Sequence, residues 1–285
     1  MGARWLRNST LMAEPFQVAT AQAVEFYDLV ALQSNTIVRA SDITWASAVA
    51  TPSAPTLADG GINVGTGLTN ALTAVKISYQ FPWGEGPLSA AATVTPTANA
   101  TIKASGLAPA APALWTNLYV ETAAGSGTFK LFSQVYGDNT QITQYGNGPV
   151  PSASPQLSGA LQITQYNFAQ LFAGVCNQRK VANLARIFGN SVDNMIMVNR
   201  GGNWEFDTAS FAYSPGMWVG PAKDVGNVLL NQTVVQVPHP SLAIGKVQAD
   251  SNVQGVLQAT IKVSVDVLST LVPVVPNLAA LASVP

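Results

Sequence analysis

The side chains that most often perform catalysis are sparse in this 285-residue chain. His239 is the only histidine and Cys176 is the only cysteine. A Ser-His-Asp triad would depend on His239, but no Gly-x-Ser-x-Gly segment supplies the nucleophile. His239 lies between Pro238 and Pro240, which favours a turn residue over a catalytic base. The sequence therefore predicts no nucleophilic site.

Metal and cofactor sites are equally hard to assemble. One histidine and one cysteine cannot form the common zinc ligand sets, and Asp138-Asn139-Thr140 offers too few oxygen ligands for calcium. The glycine-rich segment 60–65 lacks the lysine of a phosphate-binding loop. The 14 acidic residues are scattered, so the paired carboxylates of a glycosidase remain an alternative without an identifiable pair. We expect no enzymatic activity and no cofactor.

The chain carries unusually little charge. Charged residues make up 9% of the sequence and hydrophobic residues 48%, whereas a typical domain has about 25% charged residues. The 13 basic residues do not form the stripe that nucleic-acid binding requires. We therefore expect no nucleic-acid contact. Sparse charge also indicates that much of the surface is buried against protein partners.

The location of two apolar segments in the fold has to be predicted. Cys176 lies in an apolar run, which predicts an inert buried thiol. The last 15 residues, Leu271 to Pro285, are apolar but short for a membrane span, and they contain prolines. We expect no membrane contact. An extended arm on a neighbouring subunit fits this segment better, with a frayed tail as the alternative.

Two stretches rich in Pro, Ser and Ala divide the chain, at 51–55 and 148–155. Such stretches resist regular structure and mark boundaries. They predict a domain at 50–158 inserted into a base domain made of 1–49 and 159–270, followed by a C-terminal arm at 271–285. Three segments in tandem are the alternative.

Strand patterns dominate the bracketed part. Val75, Ile77, Tyr79 and Phe81 alternate with polar residues, the period of a half-buried strand. A turn at 83–87 and a hairpin loop at 125–127 separate further short apolar runs. Several short strands with regularly spaced turns predict a β-sandwich.

The flanking parts also indicate strands. A turn at Ser34-Asn35 separates two apolar runs, and alternation recurs from Ile261 to Val267. Trp204 and Trp218 fall in strand patterns and are predicted to be core residues. The clearest helical candidate is 180–187, and a short helix near 165–172 is a second candidate. The sequence therefore predicts an all-β protein.

Five segments of the flanking parts resemble the β-tulip type of phage capsid cement (head decoration) protein. Order and spacing hold over 14–46 and 160–268. In the first segment, a glycine usually fills the place of Tyr27 in that family. The segments are an opening hairpin at 23–42, an F-x-G-V strand at 168–175, strands at 204–207 and 216–221, and an x-A-I-G-x-V strand at 240–247.

The bracketed part resembles fibronectin-like or immunoglobulin-like modules. Segment 77–81 followed by 84–89 matches their Y-x-x-x-x-G-E-x-x-S hairpin. Together the resemblances imply a β-tulip or barrel-like base with an inserted Ig/Fn3-like sandwich. Exposed loops accept such insertions because the ends of the inserted domain are close together.

The resemblance implies a non-enzymatic virion protein that binds the major capsid protein on the outer face of a phage head. It also implies a homotrimer. Candidate partner contacts are Trp5, Trp83, Leu271 and Val274, because aromatic and apolar side chains are favoured at interfaces. The alternatives are a tail-tube or fibre protein, and a carbohydrate-binding module that uses exposed aromatics such as Trp83 or Trp115.

Overall fold

The computed structural model describes residues 4–5, 13–62, 68–97, 99–156, 158–183, 186–188, 191–209, 211–249, 252–253, 256–257 and 259–266. These residues divide into two compact units. Unit 1 lies within Met1–Ser47 and Ala160–Val274, and unit 2 lies within Ala48–Gly159. The predicted boundaries at 49/50 and 158/159 differ from this division by one or two residues. The predicted arm at 271–285 lies outside the described residues.

The predicted all-β class is confirmed. The described part contains one α-helix among many short strands. Before the helix the strands are β1 (Arg4–Trp5), β2 (Ala13–Gln17), β3 (Leu29–Gln33), β4 (Thr36–Arg39), β5 (Thr56–Ile62), β6 (Thr73–Phe81), β7 (Gly84–Glu85), β8 (Ala92–Val94), β9 (Ala100–Ser105), β10 (Trp115–Glu121), β11 (Phe129–Val135) and β12 (Asn139–Ile142).

The remaining elements follow in unit 1. They are α1 (Ala160–Leu171), β13 (Phe172–Cys176), β14 (Arg186–Phe188), β15 (Ser191–Asp193), β16 (Met195–Asn199), β17 (Gly201–Thr208), β18 (Trp218–Lys223), β19 (Leu229–Gln236), β20 (Gly245–Val247), β21 (Asn252–Val253), β22 (Val256–Leu257) and β23 (Thr260–Asp266). Two 3₁₀ turns cover Ala40–Asp42 and Pro240–Leu242.

Unit 1 contains a closed five-stranded barrel. Its strands run in the order β17-β19-β18-β20-β23, and β23 pairs back onto β17. Alternate residues of β17 and β23 point inward, so Trp204, Phe206, Ile261 and Val263 are fully or almost fully buried. Each of the five strands of the closed barrel is therefore paired on both sides, although β17–β19 and β18–β20 are joined by only two residue pairs each. The predicted strand at 261–267 is confirmed as far as Asp266. The predicted core position of Trp204 is also confirmed.

A second five-stranded sheet of unit 1 has apolar neighbours on both faces. Its order is β2-β16-β13-β3-β4, and a parallel bridge from Val18 to Ile37 joins its two ends. One face packs around Ile37 and Val198, while the other contributes Leu29 and Val175 to the cluster around the barrel. This double burial explains why all five residues of β13 are buried.

Two glycines of the family-like motifs lie where the backbones approach closely. Gly174 has φ +139°, and a Cβ there would lie 2.2 Å from the Asn199 carbonyl oxygen. A Cβ on Gly245 would lie 2.4 Å from the Ser264 carbonyl oxygen. These motif glycines allow close strand packing, because no side chain fits at either position.

The predicted helix at 180–187 is wrong. Lys180 forms a bridge with Val24, and Arg186 begins strand β14. The Lys180 side chain is buried, and its Nζ donates to the carbonyl oxygens of Ala19, Thr20 and Gln22 at 2.8–3.1 Å. These contacts fix Lys180 in the bridge, a turn follows at 182–183, and the weak helical pattern is overridden. The second helical candidate, at 165–172, corresponds to the C-terminal half of α1.

Unit 2 is a sandwich of two antiparallel sheets. One has the order β11-β10-β6-β7, with β8 also on β6, and the other has β12-β9-β5. Their facing sides share one apolar core that includes Val75, Ile77, Ile102 and Leu118. The predicted strand at 75–81 and the predicted hairpin around 125–127 are confirmed.

Replacement of Lys180 with methionine should destabilise unit 1. The carbonyl oxygens of Ala19, Thr20 and Gln22 would lose their donor, and buried acceptors without partners cost about 1–3 kcal/mol. We expect a loss of about 2 kcal/mol in unfolding free energy by urea denaturation. Hydrogen-exchange protection should fall at the amides of Val24 and Lys180, each of which bonds the other's carbonyl.

The matched control is Lys262→Met. Lys262 lies on the exposed side of β23, so its replacement should change the unfolding free energy by less than about 0.5 kcal/mol. Equal effects of the two substitutions would mean that the Lys180 contacts contribute nothing to the fold.

The opening hairpin should carry two carboxyl groups with opposite effects on pH-dependent stability. Burial raises the pKa of Asp28, although the Glu25 amide and Gln232 side chain donate to it. Burial alone would also raise the pKa of Asp42, but hydrogen bonds from Arg39 and Gln22 and the charge of Arg39 lower it.

A raised native pKa means that the folded state binds more protons than the unfolded state above the ordinary value of 3.8. Acidification from pH 7 towards 4 should therefore stabilise the native chain relative to Asp28→Asn. It should destabilise the native chain relative to Asp42→Asn, and most of this loss should come below pH 5. Urea denaturation across this range measures both differences, and a shared sign would contradict the assignment.

Candidate partner-binding surfaces

The groups that could do chemistry have structural roles. Cys176 is fully buried, as predicted, and its thiol donates to the Gln178 carbonyl oxygen. His239 precedes the second 3₁₀ turn, and its Nδ1 accepts from the Ser241 amide at 3.2 Å. Burial lowers the pKa of His239. Within the described residues, no group of three or more His, Cys, Asp or Glu side chains is placed to hold a metal ion.

Trp83 packs locally, which corrects its prediction as a partner contact. It is 3% exposed, and its ring stacks on Phe81 with centroids 5.2 Å apart. The tight turn between β6 and β7 folds the indole back onto the strand that precedes it. Gly86 makes room for this arrangement, because a Cβ there would lie 2.9 Å from the Phe81 ring.

The other three candidate contacts stay predictions. Trp5 lies in β1, whose backbone pairs with β17 opposite Trp204. Leu271 and Val274 lie outside the described residues. Trp218 is only half-buried, and the Lys246 ammonium lies 4.1 Å from its ring centroid. The prediction of a core position is therefore wrong for Trp218.

A surface that sequence analysis missed surrounds Leu171, the last residue of α1. Two adjoining hollows of about 290 Å³ and 280 Å³ flank this side chain, which is 40% exposed. We call it the Leu171 surface. The first hollow is lined by Gln33, Ile43, Thr44, Asn167, Gln170 and Leu171, and the second by Glu14, Phe16, Leu32, Gln170, Leu171, Phe172, Ala173 and Arg200.

The Leu171 surface is apolar at its centre and neutral at its margin. Its charged residues are Glu14 and Arg200, whose Oε2 and Nη1 atoms lie 3.0 Å apart in an ion pair. The other polar groups are mainly carboxamides, which donate and accept hydrogen bonds without charge. An apolar centre with a polar margin is the arrangement of a protein–protein interface. No sequence motif marked it, because β2, β3, α1 and β13 contribute from distant parts of the chain.

No protein-family model, curated protein or solved structure matches this chain. Within the described part of the chain, no helix combines the length and apolar character needed to cross a membrane.

Replacement of Trp83 with alanine should destabilise unit 2 by about 3 kcal/mol, since a buried aromatic side chain leaves a cavity behind. Thermal or urea unfolding measures the loss. The control is Leu72→Ala, because Leu72 is 57% exposed and its removal should cost less than about 0.5 kcal/mol. A neutral effect at Trp83 would restore its candidacy as a surface contact.

Proposed function

We propose that this chain is a structural virion protein, a capsid cement protein that binds the outer face of a tailed-phage head. The observation that carries the proposal is the backbone at Tyr27. Its φ is +70°, and the β-tulip cement family usually has glycine there, the residue that adopts this conformation without strain. Gly174 and Gly245 match two further family motifs and also lie where only glycine fits.

The strain at Tyr27 is offset by specific contacts. The Tyr27 amide donates to the Cys176 carbonyl oxygen at 2.8 Å, and its ring packs against Trp204 with centroids 5.9 Å apart. A non-glycine residue in this region costs about 1–2 kcal/mol. The departure from the family pattern therefore keeps the turn and adds an aromatic contact to the barrel.

The surface chemistry supports a structural partner rather than a small substrate. The Leu171 surface is shallow, apolar and nearly neutral, which suits another folded protein, and the major capsid protein is the proposed one. Stabilisation then follows from mass action, because a protein that binds only the assembled shell lowers the free energy of that state. The same reasoning allows self-association into the trimer that the family resemblance implies.

The first test is the oligomeric state by light scattering, followed by mixing with expanded capsids of the parent virus that lack this chain. A trimer that co-sediments with the shells and raises their disruption temperature is expected. Because the Leu171 surface carries only one ion pair, binding should persist in molar salt. A hexameric ring or fibre that ignores shells would point to a tail protein and overturn the proposal.

Leu171→Asp should weaken shell binding by about thirtyfold, the loss of a central contact worth about 2 kcal/mol. Co-sedimentation at a series of concentrations measures the change. The control is Val225→Asp, because Val225 is fully exposed at the hairpin tip between β18 and β19. Equal affinities of the two variants would exclude the Leu171 surface from the interface.

A further inference from the structure

The outer face of the β11-β10-β6-β7 sheet of unit 2 is crossed by the chain itself. We call residues 146–156 the strap. The Leu131 amide of β11 donates to the Pro149 carbonyl oxygen at 2.8 Å, and the Ser152 amide donates to Glu85 Oε2 of β7 at 2.9 Å. Between these two contacts, Ser78 and Tyr119 are buried and donate to Glu85. The strap leaves no room for a partner over these side chains.

The corner of the same face where β10 begins and β11 ends presents an aromatic pair. Trp115 begins β10, and Tyr136 directly follows β11. Their ring centroids are 5.9 Å apart, with planes tilted by 52°. Tyr136 is 44% exposed and Trp115 is half-buried. Because the rings contact each other, they form one surface rather than two isolated side chains.

Carboxamides hold and surround the pair. The Trp115 indole N–H donates to Asn117 Oδ1 at 2.8 Å, and Asn117 Nδ2 donates to Gln80 Oε1 at 3.4 Å. Gln134 lies opposite Asn117 in the strand register and is exposed. Residues opposite each other in an antiparallel pair share a face. We call Gln80, Trp115, Gln134 and Tyr136 the aromatic platform, which Asn117, only 4% exposed, supports through these hydrogen bonds.

The chemistry of the aromatic platform selects its ligand. None of its four side chains carries a charge at neutral pH, so a strongly charged ligand gains nothing there. Aromatic faces pack against the C–H faces of sugar rings, and the exposed carboxamide of Gln134 both donates to and accepts from hydroxyl groups. The indole is held before binding, which reduces the entropy lost when a ligand is ordered.

The size of the aromatic platform argues against a folded protein as its ligand. A stable protein–protein interface uses about 20–30 residues on each side, whereas the aromatic platform consists of four side chains. A few sugar units of a chain match that extent. Nucleic acid would require basic side chains around the rings, and the aromatic platform contains none.

We propose that the aromatic platform of unit 2 binds a neutral polysaccharide, a function separate from shell binding by unit 1. The test is affinity electrophoresis of the full chain through gels that contain hydroxyethylcellulose, glucomannan or dextran, with alginate as an anionic comparison. Retardation by at least one neutral polysaccharide is expected, and it should exceed the retardation by alginate. Added salt should leave it unchanged.

Tyr136→Ala should reduce the retardation constant about tenfold, which corresponds to about 1.4 kcal/mol. The matched control is Phe211→Ala, because Phe211 is an aromatic residue of unit 1 with the same 44% exposure. The Phe211→Ala variant should migrate as the unchanged chain does. Trp115→Phe keeps the ring but removes the indole donor, and it should weaken retardation by a smaller factor. Thermal unfolding of each variant shows that unit 2 remains folded.

Three results would overturn the proposal. In the first, none of the three neutral polysaccharides changes the migration of the chain. In the second, the unchanged chain and Tyr136→Ala are retarded equally. In the third, Phe211→Ala reduces the retardation and Tyr136→Ala does not. Retardation only in alginate would assign the effect to charge elsewhere on the chain.

Discussion

The closure of β23 onto β17 is the constraint on which the rest of unit 1 depends. Seven residue pairs, from Gly201–Asp266 to Asp207–Thr260, join the two strands. This antiparallel ladder faces Trp204, Phe206, Ile261 and Val263 inward, where they form the centre of the barrel core. Without it, β20 and β17 would both present unpaired edges, and the core shared with the second sheet would lose the order of these four side chains. The period-two pattern of β23, near the end of the described chain, thus contributes to a core shared with strands that precede it by more than 200 residues.

The strands were largely predictable from sequence, and the exceptions have physical causes. Period-two alternation at 75–81 and 261–266 depends only on one strand having one buried face. Helix α1 was only partly predicted, because its residues include β-branched and amide side chains whose pattern is weakly amphipathic. The 180–187 segment resembled a helix locally, yet Lys180 meets three carbonyl oxygens from residues 19–22. No local pattern encodes a contact with a segment 160 residues away.

The two surfaces were less predictable than the fold, for the same reason. The Leu171 surface combines side chains from β2, β3, α1 and β13, so its members are adjacent only after folding. On unit 2, Trp83 and Trp115 looked equivalent as aromatic residues near turns. The structure separates them, because the β6–β7 turn folds Trp83 onto Phe81, whereas Trp115 remains beside the exposed Tyr136. Whether an aromatic side chain faces solvent depends on the turn geometry beside it.

The scarcity of charge has a consequence for how this chain meets partners. Several of its carboxylates are engaged by its own backbone. Glu121 accepts from the amides of Ala74, Gly125 and Gly127, and Glu85 from that of Ser152. Asp28 likewise accepts from the Glu25 amide. These carboxylates stabilise turns and hold the strap in place, so they contribute little to the electrostatic field around the protein. A partner of the kind proposed above would then be selected by shape and by neutral hydrogen bonds, which lose little strength as salt rises. An apolar hollow on one unit and a carboxamide-lined aromatic pair on the other are the two kinds of surface that such selection requires.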